Sequence, residues 1–136
     1  MKKIIILICC FMMVLSISTV GVSASNYDIS LCSNNVANTD SVFYIDDNGE
    51  AAVSVGYFGY PGITSGATIT TKLQKQNGSS WDDVIEWTDE ATGFMFSNEH
   101  ILQLYERGTY RVQIEYVVSG SGGADDVITE EYFQTY

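Results

Sequence analysis

The chain has 136 residues, 46% of them hydrophobic, and 17 acidic against 6 basic side chains give it a net charge of −11. Coulomb repulsion by that surplus excludes phosphate backbones and anionic lipid surfaces as natural partners, and no basic patch with interleaved aromatics of the nucleic-acid-binding kind is present. The length suits one modest domain, with no internal repeat and no second domain.

Residues 1–24 read as a signal peptide. Lys2 and Lys3 form a positive n-region, residues 4–15 are apolar, and Val22-Ser23-Ala24 supplies the small residues of a cleavage site. The apolar run is short for a membrane span of about 20 residues, and Ser16, Ser18 and Thr19 interrupt it. Cleavage leaves 112 residues with a net charge of −13, since Lys2 and Lys3 go and no acid does. The mature chain is expected to be secreted, extracellular and off the membrane. Cys9 and Cys10 leave with the signal, so Cys32 stands alone and no internal disulfide can form. Cys32 is then a small apolar residue under the first strand, a free thiol, or a bridge between two chains. A monomer is the expected state.

Residues 25–40 are polar and aperiodic and read as a flexible leader. The domain is expected over residues 41–136. Its strands are expected at 41–45, 51–58, 67–76, 81–88, 94–104, 109–118 and 127–133, separated by turn signals. Asp46-Asp47-Asn48-Gly49 ends the first, and Tyr60-Pro61-Gly62 turns the chain after the second. Asn77-Gly78 predicts a hairpin between the third and fourth. Residues 89–93 read as a loop, the fifth strand as bent near Ser97-Asn98, and 119–123 as a Gly/Ser hairpin loop. Residues 98–106 are the one window that a helix would also fit.

The sixth strand carries the strongest pattern. Tyr110, Val112, Ile114, Tyr116 and Val118 take one face; Thr109, Arg111, Gln113 and Glu115 take the other. Such alternation means a strand with one dry and one wet face, and Gly108-Thr109-Tyr110 at its entrance is how a tyrosine corner begins. About seven strands, Gly-rich turns and no strand–helix alternation predict an all-β, immunoglobulin-like antiparallel β-sandwich without a disulfide. Its expected core is Val53, Val55, Ile69, Leu73, Trp81, Leu102, Tyr110, Val112 and Ile114.

The run from Lys72 to Trp81, then Val84 and Trp87, then Gly108-Thr109-Tyr110-Arg111-Val112, resembles a group of small secreted proteins of Gram-positive bacteria. The resemblance implies a signal peptide, an immunoglobulin-like sandwich and no established activity. The chain departs from antibody-type domains in two ways: Val55 and Val112 are apolar where inter-sheet cysteines would stand, and the Trp follows a hairpin.

Catalytic sets are weak. His100 is the only histidine, and Ser119-Gly120-Ser121-Gly122 lies in a hairpin loop rather than at a strand-to-helix elbow, so no nucleophile–base–acid arrangement forms. One His and one Cys cannot furnish a standard zinc set. Asp46-Asp47-Asn48-Gly49-Glu50 and Asp125-Asp126 offer oxygens without the alternate acidic spacing of a calcium loop, and read as acidic turns. Asp82, Asp83, Glu86, Asp89 and Glu90 could pair as in a glycosidase, but so small a domain has little material for a cleft. No cofactor and no enzymatic activity are expected.

Aromatic residues are what remain. On unbroken alternation Trp81 and Trp87 share a face with Asp83 and Ile85, in the core or at its edge, while Phe58 and Tyr60 stand exposed at a loop end. Phe58, Tyr60 and Trp87 are the candidate interaction residues. The chain is therefore expected to be a non-catalytic secreted interaction or structural module that binds a protein or a cell-surface glycan. The alternative is a carbohydrate-binding module using exposed aromatics.

Overall fold

A computed structural model describes residues 33–136. The expected signal peptide, most of the leader and Cys32 lie outside the described residues. Seven strands follow in order: β1 (Val36–Ile45), β2 (Glu50–Gly59), β3 (Thr64–Asn77), β4 (Ser80–Thr92), β5 (Met95–Gln103), β6 (Thr109–Gly120) and β7 (Asp126–Thr135). They form a three-stranded sheet, β1-β2-β5, and a four-stranded sheet, β4-β3-β6-β7, with every pairing antiparallel. The fold is an all-β sandwich of two sheets.

The alternating segments are the central strands. β2 turns Ala51, Val53, Val55 and Tyr57 inward, β3 turns Ala67, Ile69, Thr71 and Leu73, and β6 turns Tyr110 through Val118; all are buried. Each such aliphatic side chain contributes about 1.5–3 kcal/mol by leaving water. Leu102 only packs partly buried against this core, because β5 is an edge strand.

Five departures from the sequence reading have physical causes. β1 starts at Val36, not at 41, because the chain before it is fastened down. The Asp126 carboxylate accepts the N–H groups of Asn34 (2.9 Å), Asn35 (2.6 Å) and Val36 (3.0 Å). Asn35 is fully buried, its amide donating to the carbonyls of Ala124 (2.9 Å) and Val118 (3.4 Å). Gly122 lies so close that a Cβ there would meet the Asn34 carbonyl oxygen at 2.1 Å. Residues 33–40 are thus a docked strand entrance rather than a free leader.

The hairpin after β3 is shifted by one residue. Asn77 pairs with Ser80, so the two-residue loop is Gly78-Ser79, with Gly78 at φ +62° in the first central position. That is the glycine placement of a type II′ turn. β4 then runs on to Thr92, taking in most of the expected loop, because residues 89–92 pair with Gly66 to Ile69. β5 passes Ser97 and Asn98 without a bend, held in register by Gly56 and Val55.

The last departure is a β-bulge. Leu73 faces Ile85 while Gln74 faces Asp83, leaving Val84 as an extra residue in β4. One inserted residue reverses the alternation. Trp87 therefore points inward and Trp81 outward, and Trp81 leaves the expected core. It sits on the outer face of the four-stranded sheet, tilted against Phe133 with the Arg111 guanidinium 4.5 Å over its ring.

Candidate functional site

The open side of the sandwich, between edge strands β4 and β5, is closed by polar groups. Asp89 on β4 and His100 on β5 meet at 2.7 Å through Nε2, both side chains largely buried, and Asn98 donates its amide to the same carboxylate at 2.8 Å. The imidazole stacks on Trp87 with centroids 4.8 Å apart and planes within 8°. These residues join the two sheets. Trp87, expected as an interaction residue, is half-buried in this latch and one ring face is occupied by His100.

Both acidic turns use their oxygens internally. Asp46 accepts the N–H groups of Glu50 (2.8 Å) and Asn48 (2.9 Å), and the backbone bond from Glu50 above all holds its carboxyl below the usual range. Asp126 is the β1 clasp already described. Burial pushes its pKa up, but the three backbone donors and Ser33 together outweigh that and hold it low.

The two other expected interaction residues stand at one end of the three-stranded sheet. Phe58 is 48% exposed on the outer face of β2, meeting Phe94 edge-on at 5.7 Å and lying in register with Met95. Tyr60 is exposed in the β2–β3 turn, with Ile63 exposed two residues past Pro61. The structure thus groups Phe58 and Tyr60 at one end and leaves Trp87 apart from them.

Phe58 is one corner of a larger apolar surface. The outer face of β1-β2-β5 has four cross-strand rows: Asn38–Phe58–Met95, Asp40–Gly56–Ser97, Val42–Ser54–Glu99 and Tyr44–Ala52–Ile101. Val42, Tyr44, Met95 and Ile101 are each 55–58% exposed. Exposed apolar side chains grouped on one face mark interaction sites, where scattered ones need no explanation. Sequence reasoning missed Val42, Tyr44, Met95 and Ile101. The available signal was Val42-Phe43-Tyr44-Ile45, apolar on both parities of a single strand, and Ile101-Leu102 likewise.

The face has one sign of charge. β1, β2 and β5 contain no Lys or Arg; Asp40, Glu50 and Glu99 are exposed on them. Among the described residues the basic side chains belong to β3, β6 and the β5–β6 loop. Lys72 pairs with Glu86 and Asp83, Lys75 with Glu106, and Arg111 with Glu131, while Arg107 lies over the Tyr136 ring. No protein-family model matches the chain, and no curated protein matches its sequence.

Proposed function

We propose that this chain is a secreted, non-catalytic interaction module of a Gram-positive bacterium, built on an immunoglobulin-like sandwich. The fold assignment is supported by strand order, with the first, second and fifth strands in one sheet and the third, sixth and seventh together in the other. It is also supported by the entrance to β6. Tyr110 donates its hydroxyl to the Glu106 carbonyl four residues upstream at 2.6 Å, as a tyrosine corner does, and Val112 follows two residues on, where antibody domains carry a cysteine. The fourth strand pairs with the third rather than with the fifth.

The observation that carries the function is the exposed apolar outer face of the three-stranded sheet. A sandwich already has its core between the sheets, so apolar residues on an outer face add nothing to that core and favour association. A non-catalytic role is supported by the only histidine, whose Nε2 is on Asp89 and whose ring is on Trp87. The carbohydrate-binding alternative would rest on Phe58 and Tyr60 together with the exposed Tyr44 and Tyr105, because Trp87 has a face stacked on His100 and Trp81 has one covered by Arg111. Phe58 and Phe94 meet edge-on, at 86°, and do not make a flat platform.

The test is a photo-reactive phenylalanine analogue placed at Tyr44 of the full chain, with a second variant at Val127 on the opposite outer face, both secreted by the producing cells. Protein adducts from Tyr44 and none from Val127 are expected. Adducts only from Val127, or a glycan-array signal lost on Tyr60→Ala with no adduct at Tyr44, would overturn the assignment.

A further inference from the structure

The surface carries its own description of what would fit it. Its apolar side chains form two groups. One is Phe58 with Phe94 and Met95; the other is Tyr44, Ala52 and Ile101, with Val42 beside it. Phe58 and Ala52 are six positions apart on β2, a span of about 20 Å along an extended strand. Between them lie the Asp40–Gly56–Ser97 and Val42–Ser54–Glu99 rows, so apart from Val42, which borders the second group, the middle of the face is small and acidic. Among the described residues none of Asp40, Glu50 and Glu99 has an ion-pair partner; Glu99 accepts only the Ser54 hydroxyl, at 3.3 Å. The basic side chains of the four-stranded sheet are each matched by an acid on that same sheet or its adjoining loop.

We propose that the outer face of β1-β2-β5 docks a cationic amphipathic polypeptide segment, with two apolar clusters about 20 Å apart and Lys or Arg between them. The inference rests on the interaction-module reading and adds the chemistry of the partner. A helix of about 13 residues spans that distance. Charge complementarity selects this occupant. A second copy of the chain would set Asp40 and Glu99 against the same acids, like charge on like charge. An anionic lipid surface meets the same repulsion from a chain of net charge −11.

The test uses three synthetic 14-residue peptides with identical leucine clusters at both ends and lysines, glutamines or glutamates in the centre. Binding to the full secreted chain is read by fluorescence anisotropy. The lysine peptide is expected to bind, and to bind about tenfold more weakly to the Asp40→Lys/Glu99→Lys pair and to Ile101→Glu. Glu90→Lys/Glu115→Lys makes the same charge change on the other sheet and is expected to leave binding within about twofold. Circular dichroism establishes that each variant is folded. Equal binding of the glutamine peptide, equal losses in both charge-reversed pairs, or no binding of any peptide would overturn the proposal. If the peptides fail while Tyr44 still gives adducts, the partner chemistry falls and the interaction reading stands.

Discussion

Tyr116 crosses the sandwich from β6 to the opposite sheet. It is wholly buried, with its hydroxyl 2.5 Å from Ser41 Oγ and accepting the Gly56 N–H at 3.3 Å. Burial, more than any other cause, pushes its pKa up to about 12; the bond with Ser41 pulls it back only in part. The unfolded chain, with an ordinary value near 10, therefore loses this proton first. The sign follows: stability is intact below pH 10 and is lost, at up to about 1.4 kcal/mol per pH unit from this group, as pH rises from 10 to 12. Urea denaturation at pH 9 and pH 11 reads that loss, and Tyr116→Phe makes the dependence shallower. The same variant leaves the Gly56 N–H without its acceptor and is expected to destabilise by about 1–2 kcal/mol at pH 7. Thr71 is the opposite case. It is fully buried, and among the described residues its hydroxyl has no hydrogen-bond partner. Thr71→Val is expected to stabilise by about 0.5–1.5 kcal/mol, read as a higher urea midpoint at unchanged slope.

At the scale of the elements, β4 shows where sequence pattern stops. Trp81, Asp83, Ile85 and Trp87 are evenly spaced, and nothing local says that Val84 is passed over. The bulge becomes visible only when β3 is laid beside β4. Deleting Val84 makes Asp83 and Ile85 neighbours opposite Gln74 and Leu73, so the bulge closes with Trp81 still on Arg111 and Trp87 still on His100. The near-ultraviolet circular dichroism is expected to keep its form, with stability changed by no more than about 2 kcal/mol in urea denaturation. The clasp at the start of β1 was hidden for a related reason: Asn34 and Asn35 look like leader residues until Asp126, more than ninety positions on, is brought to them. Asp126→Asn is expected to destabilise by about 1–3 kcal/mol. Because the folded pKa of Asp126 lies below its unfolded value, its contribution is complete above about pH 4 and disappears as pH falls through the folded value. The variant should accordingly lose less stability than the parent chain on acidification, measured by thermal melting between pH 6 and pH 2.

For the molecule as a whole, the central strands were the legible part. β2, β3 and β6 have partners on both sides and a core on one face, so their alternation is written directly into the residues. The edge strands were less so. β1, β4 and β5 carry apolar side chains on both parities, as Phe43 and Tyr44 or Ile101 and Leu102 do, and period-two reading cannot say which row meets the core and which faces outward. That ambiguity hid Tyr44 and Ile101 while Phe58, beside a turn, could be found. Under the proposed function the three-stranded sheet is the face that associates and the four-stranded sheet the face left to water. Carbene footprinting tests this most directly, comparing the purified chain with the chain in the presence of its own cells. Protection of Val42, Tyr44, Met95 and Ile101 in the second sample, with Val127 and Phe133 labelled equally in both, is the predicted result. Unchanged labelling of Tyr44 and Ile101 alongside protection of Val127 would contradict it.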